Sequence, residues 1–145
     1  MLVGKKAETW DTRFIDLAEH VSRWSKDPST KVGAVIADEI RVVSLGFNGL
    51  PVGMVDTYER LHDRELKYQL IVHAERNALL FSTESLKGCT IYTWPFMPCS
   101  VCAGMIIQSG ISRVVAPVSS SERWADNFKL SFEMFLESGV RIDLI

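Results

Sequence analysis

This sequence predicts an α/β fold of three layers, α/β/α, built around a five-stranded mixed sheet. Three observations predict it. Residues 90–145 alternate short β-branched runs with longer stretches of helical period, the pattern of parallel strands joined by crossover helices. Ahead of them, two strand-like runs flank a tight turn, which reads as an antiparallel hairpin. The chemically active residues His73, Glu75, Cys99 and Cys102 fall at expected helix starts, at one end of the sheet, where α/β proteins place their sites.

Residues 1–8 read as a loose start. From Thr9, a possible N-cap, Phe14, Leu17, Ala18, Val21 and Trp24 recur at helical spacing and predict a core-facing helix that Pro28 stops. Residues 32–36 and 41–47 are the hairpin strands, with Asp38 and Glu39 in the turn. Residues 46–53 hold three glycines and a proline, a loop of special backbone angles. Asn48 in that loop has two readings: hydrogen bonding to a sugar or base, or satisfying the turn backbone. Residues 56–67 read as a charged, exposed, partly helical stretch, with His62 a surface histidine. A helix is expected to start near His73, burying Ala74, Ala78, Leu79, Leu80 and Phe81 along one side. Residues 90–94 are a strand, broken by Pro95 and Pro98, and Pro98 opens a helix that stops near Gly110. A strand at 113–117, a helix at 122–137 and a strand at 140–145 complete the order. Trp124, Phe128, Phe132, Phe135 and Leu136 are that helix's apolar face, and Gly139 ends it.

The 145 residues are expected to form one domain, 1–145, with a substantial core. The chain is 47% apolar and 23% charged, the profile of a soluble globular protein. A net charge of −2 without a Lys/Arg block argues against binding long nucleic acid. No secretory signal is read at the start, and no apolar run approaches the ~18 residues that span a membrane. Three cysteines, an odd count, argue for a reducing, cytoplasmic setting over a disulfide framework. Cys89, beside Gly88, reads as a small buried residue.

His73-Ala74-Glu75 and Pro98-Cys99-Ser100-Val101-Cys102 carry the chemistry. One imidazole and two thiolates are three ligands for a zinc ion, and three protein ligands leave the fourth position open, as catalytic zinc requires. Zinc brings the pKa of a bound water from ~15.7 to about 7, and a carboxylate two residues from the imidazole can move protons there. Cys99 and Cys102 share one face of a first helical turn, where the dipole favours thiolates. The order His-x-Glu…Pro-Cys-x-x-Cys resembles the signature of zinc-dependent nucleobase deaminases. The polar loop 25–31 has two readings, a phosphate-binding loop or a solvated turn, and composition favours the turn.

With Ser25-Lys26-Asp27-Pro28, Thr30-Lys31-Val32-Gly33 and Gly46-Phe47-Asn48-Gly49-Leu50-Pro51-Val52-Gly53 added, residues 25–116 resemble the deoxycytidylate (dCMP) deaminases of the cytidine deaminase superfamily. The resemblance implies a cytidine deaminase-like fold. It implies one catalytic Zn2+ on His73, Cys99 and Cys102, with Glu75 as the proton shuttle. It puts Ser25 and Lys26 near a substrate phosphate, reversing the composition-only preference, and Asn48 against the deoxyribose. Ala74 joins the substrate-binding set, and Trp94, Pro95 and Phe96 shape the base pocket. The implied reaction is hydrolysis of dCMP to dUMP and ammonia, supplying thymidylate synthesis. A homo-oligomer, with a hexamer favoured, and control by dCTP and dTTP are also implied. The sequence departs from the family at Phe47, where Tyr is common, and at Met54, where Cys is common. Trp94 and Met97 are larger than expected, and the Arg123-Trp124 stretch differs. The alternatives are a related substrate (dCTP, a modified cytosine nucleotide or another amino-heterocycle) and a non-catalytic nucleotide sensor.

Overall fold

The computed structural model describes residues 9–145, so the loose start read at 1–8 lies outside the described residues. The elements are α1 (Thr9–Ser22), β1 (Gly33–Asp38), β2 (Arg41–Phe47), α2 (Tyr58–His62), α3 (Arg64–Leu70), α4 (Ala74–Phe81), β3 (Thr90–Trp94), α5 (Ser100–Gln108), β4 (Arg113–Ala116), α6 (Ala125–Ser138) and β5 (Arg141–Leu144). One five-stranded sheet runs β2-β1-β3-β4-β5. β1 is antiparallel to both β2 and β3, while β3, β4 and β5 are parallel. The mixed sheet and its hairpin are those the sequence predicts.

Side chains alternate faces along each strand, so the two cores separate by parity. Val35, Ala37, Tyr92 and Val115 meet Phe14, Ile15 and Ala18 of α1 on one face. Ala34, Ile36, Ile91 and Val114 meet α4, α5 and α6 on the other. β1 is therefore buried on both sides and lacks a polar-out pattern. Two glycines let the helices come this close. A Cβ on Gly33 would stand 2.0 Å from the Ala18 carbonyl oxygen of α1, and one on Gly46 would stand 2.6 Å from the Ala74 carbonyl oxygen of α4.

Several boundaries differ from the sequence reading. α1 ends at Ser22, six residues before Pro28, and Trp24 lies past its end, half exposed. The hairpin turn falls on Glu39 and Ile40, with Glu39 at φ 54°. Residues 56–67 form most of two short helices, with Asp63 capping α3 through a hydrogen bond from the Leu66 N–H. Lys67 in that stretch is buried, not solvated. α6 starts at Ala125 with Trp124 at its N-cap. Leu80 and Phe81 are corrections of a different kind: at 74% and 55% exposure they face outward, because the inward side of α4 is taken by Ala74, Glu75, Ala78 and, in part, Leu79.

Arg113 ties α1 to the parallel half of the sheet. It donates bidentately to Asp11 at 2.8 and 2.7 Å and through Nε to Asp143 at 2.8 Å, and the Tyr92 hydroxyl donates to Asp11 at 3.0 Å. Burial alone would raise the Asp11 pKa, but hydrogen bonds from Arg113 and Tyr92 hold it below its usual value. That stabilisation is fully present above the unfolded carboxyl pKa of about 3.9 and is lost as pH falls through the folded one. Arg113→Met removes the bidentate ion-pair partner of buried Asp11 and one of the two arginines on buried Asp143, so urea unfolding at pH 7 is expected to show a loss of about 3–5 kcal/mol. A loss under ~1 kcal/mol would contradict this role.

Candidate metal centre and cavity

Two helix starts supply the ligands. His73 is the N-cap of α4 and Cys99 the N-cap of α5, both extended, and neither side chain caps its own helix. Both are thus free to point away from the backbone. Val72 is pinned by a bridge to Gly49, with paired backbone hydrogen bonds of 2.8 and 3.1 Å, which fixes the approach of His73. Asn77 donates to the Phe47 carbonyl at 2.8 Å and holds α4 against the end of β2. At the other start, Asn127 of α6 accepts from the Ser100 N–H at 2.9 Å and donates to the Ser100 hydroxyl at 3.0 Å. It satisfies a first-turn N–H that Cys99 leaves unpaired.

The ligand atoms of His73, Cys99 and Cys102 all lie within 4.8 Å of one another. His73 Nδ1 stands 3.6 Å from Cys99 Sγ and 3.4 Å from Cys102 Sγ. A tetrahedral zinc with bonds of about 2.3 Å to sulfur and 2.05 Å to nitrogen needs S···N edges of about 3.6 Å. The donor set and its spacing therefore fit zinc, with Nδ1 as the ligating nitrogen. The hydrogen bond from Cys102 holds the Cys99 thiol down to about 3 against burial, with His73 helping. Cys102 is pushed up by its hydrogen bond to Cys99 and then by burial, and metal binding displaces the proton it keeps. Glu75, in the first turn of α4, is 5% exposed, and burial pushes its carboxyl up while His73 works the other way. A carboxyl raised in this way is suited to taking and returning a proton near neutral pH.

His73, Glu75 and Cys99 open into a cavity of about 540 Å³, within the ~300–1,000 Å³ typical of small-ligand sites. Ala74, Asn48 and Phe96 also line it. The Asn48 side chain supports the loop as well: it donates to the Thr30 carbonyl at 2.9 Å and accepts from the Val32 N–H at 2.8 Å. The turn-backbone reading of Asn48 is the one these bonds show, at a position that also lines the cavity. Four other expected contacts, Ser25, Lys26, Trp94 and Pro95, are not among the residues that line this cavity. The Ser25 hydroxyl is used by the backbone, donating to Asn48 O at 2.8 Å and accepting from the Asp27 N–H at 3.2 Å. Lys26 is exposed and pairs with Asp56 at 3.0 Å. Trp94 packs into the core on the α1 face, and Pro95, joined to it by a cis peptide bond, leaves Phe96 as the member of the trio that reaches the cavity.

Sequence reasoning missed Arg64, Lys67, Tyr68 and Arg123, which also line the cavity. Lys67 makes a buried ion pair with Asp27 at 3.0 Å and donates to Ser29 Oγ at 3.2 Å. Its partners sit 40 and 38 residues away, so nothing in the local pattern marks it. His62 is exposed as read, yet it lines the cavity rim and stacks on Tyr58. No helix among the described residues is long and apolar enough to cross a membrane.

With this centre in place, comparisons with known proteins agree. Residues 8–118 match the model of the cytidine and deoxycytidylate deaminase zinc-binding region. A deaminase of Aliivibrio fischeri, described as uncharacterised and lying in the luxG 3′ region, is 46% identical over 136 residues, 92% of this chain and 91% of that protein. The deoxycytidylate deaminase of Homo sapiens is 38% identical over 113 residues, covering 73% of this chain and 63% of that protein. The crystal structure of the dCMP deaminase of cyanophage S-TIM5 in complex with dCMP and dUMP superposes with a TM-score of 0.79 at 26% identity, over 97% of this chain and all of that one. The chain belongs to the cytidine and deoxycytidylate deaminase family, whose zinc-binding region His73, Cys99 and Cys102 supply here.

Asn127→Ala removes the partner of the Ser100 N–H without touching a ligand. Losing a hydrogen bond that orients ligand-bearing structure around a metal costs roughly 10- to 100-fold in metal affinity. Zinc affinity measured by chelator competition is expected to fall by that order, and an unchanged affinity would show that Asn127 does not position the α5 ligands.

Proposed function

We propose that this chain hydrolyses dCMP to dUMP and ammonia, feeding thymidylate synthesis. The observation that carries this reading is a buried Glu75 beside a three-ligand metal centre, in a cavity large enough for a nucleotide. The resemblance of the whole chain to a dCMP- and dUMP-binding deaminase supports the choice of substrate. Zinc bound there supplies Lewis acidity and a water whose pKa is lowered to about 7. Glu75 would take one proton from a water held there and pass it to N3 of the cytosine ring as the water oxygen bonds to C4; it would then pass that oxygen's second proton to the amino group, so that the C4–N bond breaks, ammonia leaves and the C4 carbonyl forms. Burial matters to this work: desolvation raises the carboxyl's proton affinity, which suits it to accept a proton and pass it on. Phe96 offers an apolar wall to the base, and Asn48 has one lone pair of Oδ1 left for a sugar hydroxyl.

The proposal extends to a homo-oligomer, with a hexamer as the form the resemblance implies. Leu80 and Phe81 on α4 and Val101 and Met105 on the neighbouring α5 leave large apolar side chains exposed, which supports burial against another copy. Control by dCTP and dTTP and a cytoplasmic setting belong to the same reading.

Two measurements test it. Ammonia release from dCMP, dCTP, CMP and deoxycytidine, measured in parallel on zinc-loaded protein, is expected to favour dCMP clearly; equal rates on all four would overturn the assignment. Glu75→Gln is expected to retain zinc and fold while losing ~10²–10⁴-fold in kcat. Wild-type turnover by that variant would end the proposed proton path.

A further inference from the structure

The outer end of the cavity is built differently from its metal end. Arg64, in the first turn of α3, donates through Nε to the Tyr68 hydroxyl oxygen at 2.9 Å. Arg123, from the segment between β4 and α6, donates through Nη2 to the same oxygen. Two guanidinium groups, 59 positions apart in sequence, thus converge on one neutral atom at the rim of the cavity that holds His73 and Glu75. Among the described residues, neither arginine has an ion-pair partner. Lys67 nearby differs in this respect, because Asp27 neutralises it and both side chains are only 6% exposed. The uncompensated charge of this cavity therefore sits on Arg64 and Arg123.

That arrangement has an electrostatic consequence. Like charges held close repel, and an anion between them removes the repulsion while gaining charge-assisted hydrogen bonds. Tyr68 accepts from both arginines, so its own O–H remains to donate to a third group. The rim therefore presents guanidinium N–H groups and a phenolic O–H toward one place. A tetrahedral oxyanion with several acceptor oxygens matches that donor set, and a planar fork matches phosphate better than an ammonium does. Lys67 and Asp27 set the frame: their buried pair fixes α3 against the 27–30 loop and so fixes where Arg64 and Tyr68 stand.

We propose that Arg64 and Arg123, spaced by Tyr68, form the clamp for the 5′-phosphate of the nucleotide substrate, the role that the family resemblance implies for Ser25 and Lys26. This rests on the dCMP reading above and adds the residues that set the preference for a phosphorylated substrate. Arg64 and Arg123 are binding residues that meet the phosphate, and Lys67 is a positioning residue.

The test compares wild type with Arg64→Ala, Arg123→Ala and the double variant; both changes are at exposed side chains, so folding is retained. Each single variant is expected to raise KM for dCMP about 10- to 100-fold, the range of a lost hydrogen bond to a charged group, with a smaller change in kcat. Deoxycytidine carries no phosphate, so the ratio of kcat/KM for dCMP to that for deoxycytidine is expected to collapse in the double variant. A ratio that stays at the wild-type value in the double variant overturns the clamp. Calorimetric titration with inorganic phosphate separates this from failure of the dCMP reading. If wild type deaminates no cytosine nucleotide, yet binds phosphate and the double variant does not, the substrate assignment falls and the anion clamp stands. If wild type and the double variant bind phosphate alike, the clamp falls whatever the substrate.

Discussion

The meeting of two helix N-termini at one point is the constraint on which the rest depends. His73 and Cys99 occupy the caps of α4 and α5, and Cys102 follows within the first turn of α5. Two thiolates, one neutral imidazole and Zn2+ sum to zero charge, so the local field is set by the helix dipoles and by hydrogen bonds to the ligands. Arg76, one turn further along α4, adds a positive charge beside the cysteines: burial alone would lower its pKa, and Cys102 and Cys99 raise it. A centre assembled from helix ends tolerates little movement, because an N-cap displaced by an ångström loses the tetrahedral spacing. This explains why so much of the surrounding structure fixes α4 and α5 and so little of it touches the metal ligands directly.

The sheet supplies that fixing from beneath. Gly46 admits α4 against β2, and Gly33 admits α1 against β1 on the opposite face. Asn77 and the Gly49–Val72 bridge then lock the start of α4, while Asn127 locks the start of α5 from α6. Arg113 joins α1 to β4 and β5 through two buried carboxylates. The hydrophobic layers give stability without direction. These polar ties give register, which a catalytic centre needs more.

Much of this was legible in the sequence, for a physical reason. Metal ligation is a local pattern: one ligand type at a fixed spacing near a helix start, with Pro98 marking the start. Strand and helix order was legible because periodicity follows burial on one or two faces. What was not legible depends on distant partners. Lys67 reads as solvent-facing until Asp27, 40 residues away, is placed beside it. Arg64 reads as part of an exposed charged stretch and Arg123 as part of a stretch that departs from the family, until Tyr68 brings them together. The Ser25 hydroxyl reads as available until the Asn48 backbone takes it. Leu80 and Phe81 mislead in the other direction, since an apolar residue on a helix does not say what covers it.

The claim on which all of this turns is an open, three-ligand zinc centre. X-ray absorption at the zinc edge of purified protein tests it most directly. The predicted spectrum has two sulfurs at about 2.3 Å and two nitrogen or oxygen neighbours at about 2.0–2.1 Å, one of them imidazole. A third or fourth sulfur would make the site closed and structural, and would contradict a catalytic centre built on His73, Cys99 and Cys102.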